Sequence, residues 1–259
     1  MDIDSGVARA GVRHIAHDTV ASTNAEALAL ARGGERGPLW ITARAQSAGR
    51  GRRGREWVSR PGNLFATLLL VDVCPADRAP QLSFVAALAV HDAVAEAAAV
   101  LGPRLALKWP NDVLCDGAKF AGILIEGEGS GTTLSVAVGI GVNCAHHPVD
   151  TEYAATDLAA AGAAVTTGTL FRALSRTMLT RLTQWNCGDG FGAIRADWLK
   201  RAAGLGQPIR VRLGDRDTEG RFESLDAAGR LLLRRPDESV EIISTGDVFP
   251  LAVAAATGP

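Results

Sequence analysis

The densest set of chemically capable side chains lies in a run of alternating arginine and glycine at residues 49–55. This run places Arg50, Arg52, Arg53 and Arg55 within seven positions. Guanidinium groups bind carboxylate and phosphate oxygens through paired hydrogen bonds, and interleaved glycines let the backbone come close to a ligand. The run therefore predicts a loop that binds a polyanionic small molecule. Two alternatives stay open from the run alone, a solvated basic turn and a contact to a nucleic-acid backbone.

A second candidate group surrounds a hairpin, because Asp116-Gly117 is typical of a type I′ turn. With that turn, Leu114 pairs with Lys119, and Asp112 projects to the same face of the hairpin as Lys119. A lysine at a cleft can stabilise negative charge that develops on a transferred group. The alternative is an exposed ion pair that contributes little to stability. The irregular Trp109-Pro110-Asn111 bend beside the hairpin favours a binding role.

Shorter features supply further polar groups. Ser22-Thr23-Asn24 precedes a helix, where Thr23 and Glu26 have the spacing of a capping box and Thr23 is expected to be the N-cap. The glycines of the segment 139–143 permit close approach of a ligand to a strand end, with a β-bulge as the alternative. Trp57, which follows the arginine run, is the type of residue that more often packs in a core.

Apolar periodicity and turn residues predict the elements that must position these groups. Strands are expected at residues 12–16, 39–45, 63–73, 104–109, 113–115, 118–126 and 133–143, the last two joined at 127–131. Helices are expected from Thr23 to residue 32 and at 82–101, 168–186 and 190–203. The first dozen residues are small and polar and are expected to be poorly ordered.

The pattern changes near residues 204–208, where short alternating strands begin. Four strands, at 209–213, 220–224, 231–234 and 239–243, predict a small β-barrel. We therefore divide the chain into a domain of residues 1–204, which carries the candidate site, and a C-terminal domain of residues 205–259.

Composition narrows the class of protein. The chain has 259 residues, 47% of them hydrophobic, and a formal net charge of −1, so no strongly basic field favours nucleic acid. The four cysteines stand too far apart for a zinc or redox motif, and no metal site formed by a side-chain cluster is expected. No signal peptide or membrane-spanning stretch is visible. A soluble, cytoplasmic protein without a membrane partner is the expectation.

Together, these segments resemble the biotin protein ligase family. The resemblance is carried by Ser22-Thr23-Asn24, the run from Gln46 to Arg55, Lys108-Trp109-Pro110-Asn111-Asp112, and Lys119-Phe120-Ala121-Gly122-Ile123-Leu124. It spans roughly residues 12–250. It implies an α+β fold with a mixed β-sheet backed by helices, like that of class II synthetases, and an SH3-like C-terminal barrel. It also implies activation of biotin by ATP and Mg²⁺ and transfer of biotin to a lysine of a biotin carboxyl carrier protein, a subunit of acetyl-CoA carboxylase.

The resemblance also implies roles for individual residues. Lys119 and Arg52 would be catalytic. Biotin would be bound by Ser22, Thr23, Asn24, Gln46, Gly49, Arg50, Gly51, Arg52, Lys119, Gly122, Gly139 and Gly141. The nucleotide would be held by Arg55, Trp57, Asn111 and Asn143. Asp112 is a candidate for orienting the acceptor amine or for contacting the metal ion.

Two points separate this chain from some family members. Only about twenty residues precede Ser22, which is too few for an N-terminal winged helix, so we expect a ligase that does not bind nucleic acid. The region after Asn143 is small and rich in alanine, and no adenine contacts are assigned to it. The sequence does not indicate the oligomeric state. The rival hypotheses are a lipoate or octanoate ligase, which lacks the arginine-glycine loop, and a nucleic-acid-binding module that uses this loop.

Overall fold

A seven-stranded mixed sheet forms the centre of the molecule. The computed structural model describes residues 1–130 and 133–251. The sheet consists of β1 (Arg13–Val20), β2 (Leu39–Gln46), β3 (Leu64–Val71), β4 (Leu105–Lys108), β5 (Asp112–Cys115), β6 (Ala118–Ser130) and β7 (Thr133–Val142). Its strand order is β1-β2-β3-β7-β6-β5-β4, with β1 and β2 parallel and every other neighbouring pair antiparallel. The predicted mixed sheet is confirmed.

Helices cover both faces of this sheet. They are α1 (Ser5–Arg9), α2 (Thr23–Arg32), α3 (Leu82–Ala97), α4 (Thr167–Trp185) and α5 (Phe191–Leu199). Alternate residues of β3 point to opposite faces. Leu68 joins the large core with α3 and α4, whereas Leu69 packs with Leu28 of α2. The face that carries α2 is only partly covered, which leaves room for a site.

Several local expectations need correction. The N-terminal residues are ordered, because the Asp4 carboxylate caps α1 by accepting from the backbone N–H of Gly6 at 2.7 Å, and Val7 is buried. The helix predicted at 82–101 ends at Ala97, since Ala98 has an extended φ of −144°, and a 3₁₀ turn follows at residues 99–104. No turn begins at residue 127, because β6 continues to Ser130. Residues 131 and 132 of that expected connection lie outside the described part of the chain.

The hairpin of β5 and β6 forms with the predicted register. Asp116 and Gly117 have positive φ angles of 48° and 78°, as a type I′ turn requires, and Leu114 pairs with Lys119. A register shift between Val113 and Leu114 then brings Asp112 opposite Gly122. The bulge re-aims the side chains beside the turn without separating Asp112 from Lys119.

A second, five-stranded antiparallel sheet follows. It consists of β8 (Pro208–Leu213), β9 (Arg216–Leu225), β10 (Leu231–Arg234), β11 (Val240–Ile243) and β12 (Asp247–Pro250), in the order β11-β10-β9-β8-β12. Four of these strands were predicted from the sequence, and β12, which is short and contains a proline, was not. The Trp109 indole N–H donates to the backbone oxygen of Gly229 at 3.0 Å and ties this sheet to the first. The domain boundary at residues 204–205 stays a prediction.

No helix in the described residues is long and apolar enough to cross a membrane.

Candidate active site

A cavity of about 350 Å³ opens beside the N-terminus of α2, between the central sheet, the arginine loop and the start of β12. Nearly all residues proposed from the sequence line it: Ser22, Thr23, Asn24, Gln46, Arg50, Gly51, Arg52, Arg55, Trp57, Asn111, Asp112, Lys119, Gly122, Gly139, Gly141 and Asn143. Gly49 is the exception. It lies behind the wall, where a side chain would collide with Ser59 and the backbone of Trp57.

The floor of the cavity is neutral and polar. The backbone N–H and the hydroxyl of Thr23 lie 2.8 Å and 3.1 Å from Gln46 Oε1 and donate to it. Thr23 is therefore the first residue of α2 rather than its N-cap, which is Ser22, and the expected capping box does not form. The Ser22 hydroxyl makes no side-chain cap and stays available at the cavity surface. A ligand bound at this floor would contact uncharged groups whose orientations are fixed by these hydrogen bonds.

Glycines of the sheet leave space for the side chains of Trp57 and Asn24. Gly122 and Gly141 are paired across β6 and β7, and a Cβ at Gly141 would lie 2.5 Å from the Trp57 ring. At Gly139 a Cβ would collide with the Asn24 amide. These glycines let Trp57 and Asn24 lie directly on the sheet backbone. Trp57 is half-buried and lines the cavity, so it is not the core residue that its type suggested.

Two lysines converge on one buried carboxylate. Lys119 Nζ lies 2.5 Å from Asp112 Oδ1, and Lys108 Nζ lies 3.4 Å from Asp112 Oδ2. Burial alone would raise the pKa of Asp112, but the two ammonium groups outweigh it and hold that pKa below its ordinary value. Burial lowers the pKa of Lys108, and Asp112 partly offsets this. One carboxylate cannot neutralise two ammonium groups, so the pair leaves positive charge beside the cavity.

The arginine loop forms the charged wall. Arg52 is only 17% exposed, which is inconsistent with a solvated turn, and donates to Asn111 Oδ1 at 3.0 Å. It also donates to Thr245 Oγ1 and to the backbone oxygen of Gly246, both at 3.1 Å. Burial lowers the pKa of Arg52, against the opposing effects of Asp247 and Asp112. The loop is thus held between the first domain and the β11–β12 connection.

Asp247 at the start of β12 lies close to three arginines of the loop. Its carboxylate lies 2.9 Å from Arg55, 3.4 Å from Arg53 and 3.8 Å from Arg52, and its side chain is 12% exposed. Burial alone would lower the pKa of Arg55. The hydrogen bond to Asp247 and the negative charge of Asp247 outweigh this effect and raise that pKa. Nothing in the sequence near residue 247 indicated this role, because the contact joins residues that are 192 positions apart.

Stacked aromatic rings and cationic side chains connect the C-terminal sheet to Lys108. Tyr153 and Phe249 stack with ring centroids 4.9 Å apart, and Lys108 Nζ lies 3.9 Å from the Tyr153 centroid. Arg210 and Arg212 lie over Phe249 at 4.9 Å and 4.7 Å. The segment containing Tyr153 follows Asn143, where sequence analysis assigned no contacts. Its lone tyrosine in an alanine-rich stretch was the available signal.

The two asparagines of the predicted nucleotide set line the cavity and hold the segments beside it. Asn111 Nδ2 donates to the backbone oxygen of Ile123 at 2.7 Å, which leaves its oxygen to accept from Arg52. Asn143 is buried, and its Nδ2 donates to the backbone oxygen of Thr156 at 3.1 Å. Each amide therefore fixes a segment that borders the cavity.

Further lining residues were not anticipated from the sequence. They are Glu56, Val58, Phe65, Ile123, Leu124, Ile140, Pro148, Asp150, Thr151, Tyr153, Ala155 and Asp247. Among residues 1–130 and 133–251, no three His, Cys, Asp or Glu side chains come together as a metal site. His147 Nδ1 lies 2.6 Å from Asp157 Oδ2.

Comparison with known proteins agrees with this geometry. Residues 20–143 match the Biotin/lipoate A/B protein ligase family, and residues 204–249 match the Biotin protein ligase C terminal domain. A biotin–[acetyl-CoA-carboxylase] ligase of Paracoccus denitrificans is 46% identical over 88% of this chain and 96% of its own length. The ligase of the same name from Mycobacterium tuberculosis is 36% identical over 89% of this chain and 86% of its own length.

A solved structure with the same architecture is the biotin protein ligase from Aquifex aeolicus in complex with biotin and ATP. It is 25% identical, with a TM-score of 0.74, and the match covers 92% of this chain and 97% of that one. The expected α+β fold, a mixed sheet backed by helices with an SH3-like C-terminal domain, is thereby confirmed. The chain belongs to the biotin protein ligase family.

Proposed function

We propose that this protein activates biotin with ATP to form biotinyl-5′-AMP and transfers biotin to a lysine of a biotin carboxyl carrier protein. The observation that carries the proposal is a single cavity with a neutral polar floor and a wall of arginine and lysine. Biotin has a neutral ureido ring at one end and a carboxylate at the other. The floor suits the ring, and the wall suits the carboxylate and the phosphates of ATP.

In the first step, a biotin carboxylate oxygen attacks the α-phosphorus of ATP. A new phosphorus–oxygen bond forms, and the bond to the β-phosphate oxygen breaks as pyrophosphate leaves. Negative charge grows on the phosphate oxygens in this step. Lys119 and Arg52 both line the cavity and offer donors to that charge. Because both are already held by Asp112 and Asn111, they need little reorganisation when the charge develops.

In the second step, the amine of the acceptor lysine attacks the acyl carbon of the adenylate. The bond to the AMP oxygen breaks, AMP leaves, and the amine loses a proton. Asp112, which already pairs with the ammonium groups of Lys108 and Lys119, is the carboxylate that would orient this amine. The arginine loop would cover the mixed anhydride and limit its hydrolysis.

Mg²⁺ would enter with the nucleotide. Four carboxylates line the cavity. Asp112 and Asp247 are engaged by lysines and arginines, which leaves Glu56 and Asp150, and no three His, Cys, Asp or Glu side chains of the described residues cluster as a metal site. Magnesium commonly uses one or two carboxylates together with substrate phosphates. The protein groups present fit an ion that is carried by the triphosphate rather than one bound before ATP.

The direct test is a biotinylation assay. The protein is incubated with ATP, Mg²⁺, biotin and a biotin carboxyl carrier domain, and the acceptor is weighed by mass spectrometry. A gain of one biotinyl group that requires ATP is expected. Replacing biotin with lipoate tests the nearest rival, since a lipoyl gain without a biotinyl gain would reject the proposal. Thermal-shift measurements with each acid give an independent readout of the same preference.

A further inference from the structure

A continuous set of buried hydrogen bonds runs beneath the cavity floor and passes through Thr67 of β3. Thr67 is fully buried and does not line the cavity. Its hydroxyl oxygen lies 2.7 Å from Asn24 Oδ1 and 2.8 Å from Thr23 Oγ1. A threonine within the apolar strand Leu64–Val71 thus touches both floor residues from behind.

The number of hydrogens on these groups limits the directions of their hydrogen bonds. Asn24 Oδ1 can only accept, so the single hydrogen of the Thr67 hydroxyl goes to it. The Asn24 amide is then oriented with its Nδ2 toward the backbone oxygen of Leu124 at 3.2 Å and Glu126 Oε2 at 2.8 Å. The oxygens of Leu124 and Glu126 can only accept, so they require Nδ2 on their side, and the Thr67 hydroxyl supplies the donor that Asn24 Oδ1 needs on the other. The Thr23 hydroxyl has one hydrogen, which can go to Thr67 Oγ1 at 2.8 Å or to Gln46 Oε1 at 3.1 Å.

Both ends of this set of bonds reach the arginine loop. At one end, Glu126 Oε1 lies 3.3 Å from Arg50 Nη2. At the other end, Gln46 Nε2 donates to Ser59 Oγ at 2.9 Å, and Ser59 donates to the backbone oxygen of Trp57 at 2.7 Å. The floor is thus connected to a residue within the loop and to the residues at its base.

We propose that Thr67 is a positioning residue for recognition of biotin, acting through Thr23 and Asn24 rather than by touching the ligand. This inference rests on the proposed function. Without the hydroxyl, Asn24 Oδ1 would be buried with no donor from β3, and the amide would turn or shift. Groups that must be aligned for the ureido ring would then lose their shared orientation.

The test compares Thr67→Val, which replaces the hydroxyl with a methyl group, with Thr67→Ser, which keeps it. We expect Thr67→Val to raise the biotin Kd and the biotin KM by roughly tenfold, as the loss of an aligned buried hydrogen bond would. The KM for ATP and kcat should stay close to those of the unmodified protein, and Thr67→Ser should resemble it throughout. Thr67→Ala, which also lacks the hydroxyl, replaces Thr67→Val if the valine variant does not fold.

Thr42→Val is the matched control. Thr42 is equally buried in β2, and its hydroxyl bonds to His14 Nε2 at 2.9 Å, outside the floor network. It should lower thermal stability without changing the biotin Kd. The inference is overturned if folded Thr67→Val or Thr67→Ala binds biotin normally, if Thr67→Ser is equally defective, or if Thr42→Val gives the same change. Failure of the unmodified protein to biotinylate any acceptor would instead reject the proposed function, because biotin Kd is measured separately.

Discussion

The floor and the wall of the cavity are built on different physical principles. The floor residues Thr23 and Asn24, and Thr67 beneath them, are 4%, 3% and 0% exposed and carry no charge. In the wall, the side chains of Arg50, Arg52 and Arg55 are 47%, 17% and 46% exposed, and each is held by a carboxylate. The floor belongs to the central sheet and α2, whereas the wall is shared with the start of β12.

This difference assigns different tasks to the two regions. A buried hydrogen-bond network loses recognition when one member is removed, because its partners cannot reach water. A half-exposed ion-pair cluster is more tolerant of single changes, since solvent screens the charges that remain. We therefore expect changes to the floor to alter biotin affinity and changes to the wall to alter the nucleotide chemistry.

The largest effect should come from Lys119→Ala. Removing the ammonium group closest to Asp112 takes away a donor to the developing phosphate charge, which typically costs about 100-fold to 1000-fold in rate. The measurement is biotin-dependent exchange of pyrophosphate into ATP. Lys200→Ala is the control, because Lys200 is 70% exposed and pairs only with Asp197 among the described residues. Near-normal exchange by Lys119→Ala would remove Lys119 from the mechanism.

Arg52→Gly should release the intermediate. Without its bonds to Asn111 and to Thr245, the loop loses one anchor on each side of the cavity, and only the ion pairs of the other arginines remain. We expect the rate of biotinyl-adenylate escape into solution to rise about tenfold, the effect of losing one charged hydrogen bond. Escape is measured by chromatography of the reaction without an acceptor. Arg53→Gly is the control, since Arg53 has a φ of 57° that glycine adopts freely. Unchanged escape would count against a covering role for Arg52.

Asp247→Asn should weaken ATP binding by a smaller factor. Three arginines would lose their shared anion and repel one another, but solvent screens two of them, so a few-fold rise in the KM for ATP is expected. Biotin affinity should not change. Glu223→Gln is the matched control, because Glu223 pairs with Arg234 in the same domain at 2.7 Å. An equal rise in biotin and ATP constants would break the division between floor and wall.

The smallest effect on activity should come from an ion-pair cluster distant from the cavity. Arg181 lies 2.7 Å from Asp92 and 2.9 Å from Asp197, between α3, α4 and α5. Hydrogen bonds from Gln184 and Arg181 hold the pKa of Asp197 below its ordinary value. A depressed carboxyl pKa stabilises the fold at neutral pH, and this contribution is lost as pH falls below the ordinary value of 3.8.

Arg181→Met should therefore lower thermal stability at pH 7 and reduce the loss of stability on acidification, with both substrate KM values unchanged. Thermal unfolding followed at several acidic pH values provides the measurement. A changed KM for either substrate would show that the cluster is coupled to the cavity.

The same two regions show what the sequence could predict. The wall is visible because Arg50 to Arg55 are adjacent in the chain, and the pairing of Leu114 with Lys119 follows from the turn at Asp116-Gly117. The floor network depends on β3 lying beside β7, so Thr67 appears in the sequence only as one polar residue in an apolar strand. Asp247 is about 190 residues from its arginines, and no local pattern indicates such a contact.

Predictions made from the local sequence were wrong where a contact with a distant element determines the structure. Thr23 has the spacing of a capping residue, but Gln46 from β2 accepts its N–H and hydroxyl hydrogen bonds. The N-terminal segment looked too polar to order, yet Asp4 caps α1 and its backbone N–H donates to Ser175 of α4 at 2.9 Å. In both cases the deciding partner lies in a distant element.

The division between floor and wall is tested most directly by a crystal structure of the protein with a non-hydrolysable biotinyl-adenylate analogue. We expect the ureido ring within hydrogen-bonding distance of Ser22, Thr23 or Gln46, and the phosphate oxygens within hydrogen-bonding distance of Lys119 and Arg52. An analogue bound in the reverse direction, or one whose phosphate touches neither cation, would contradict this account.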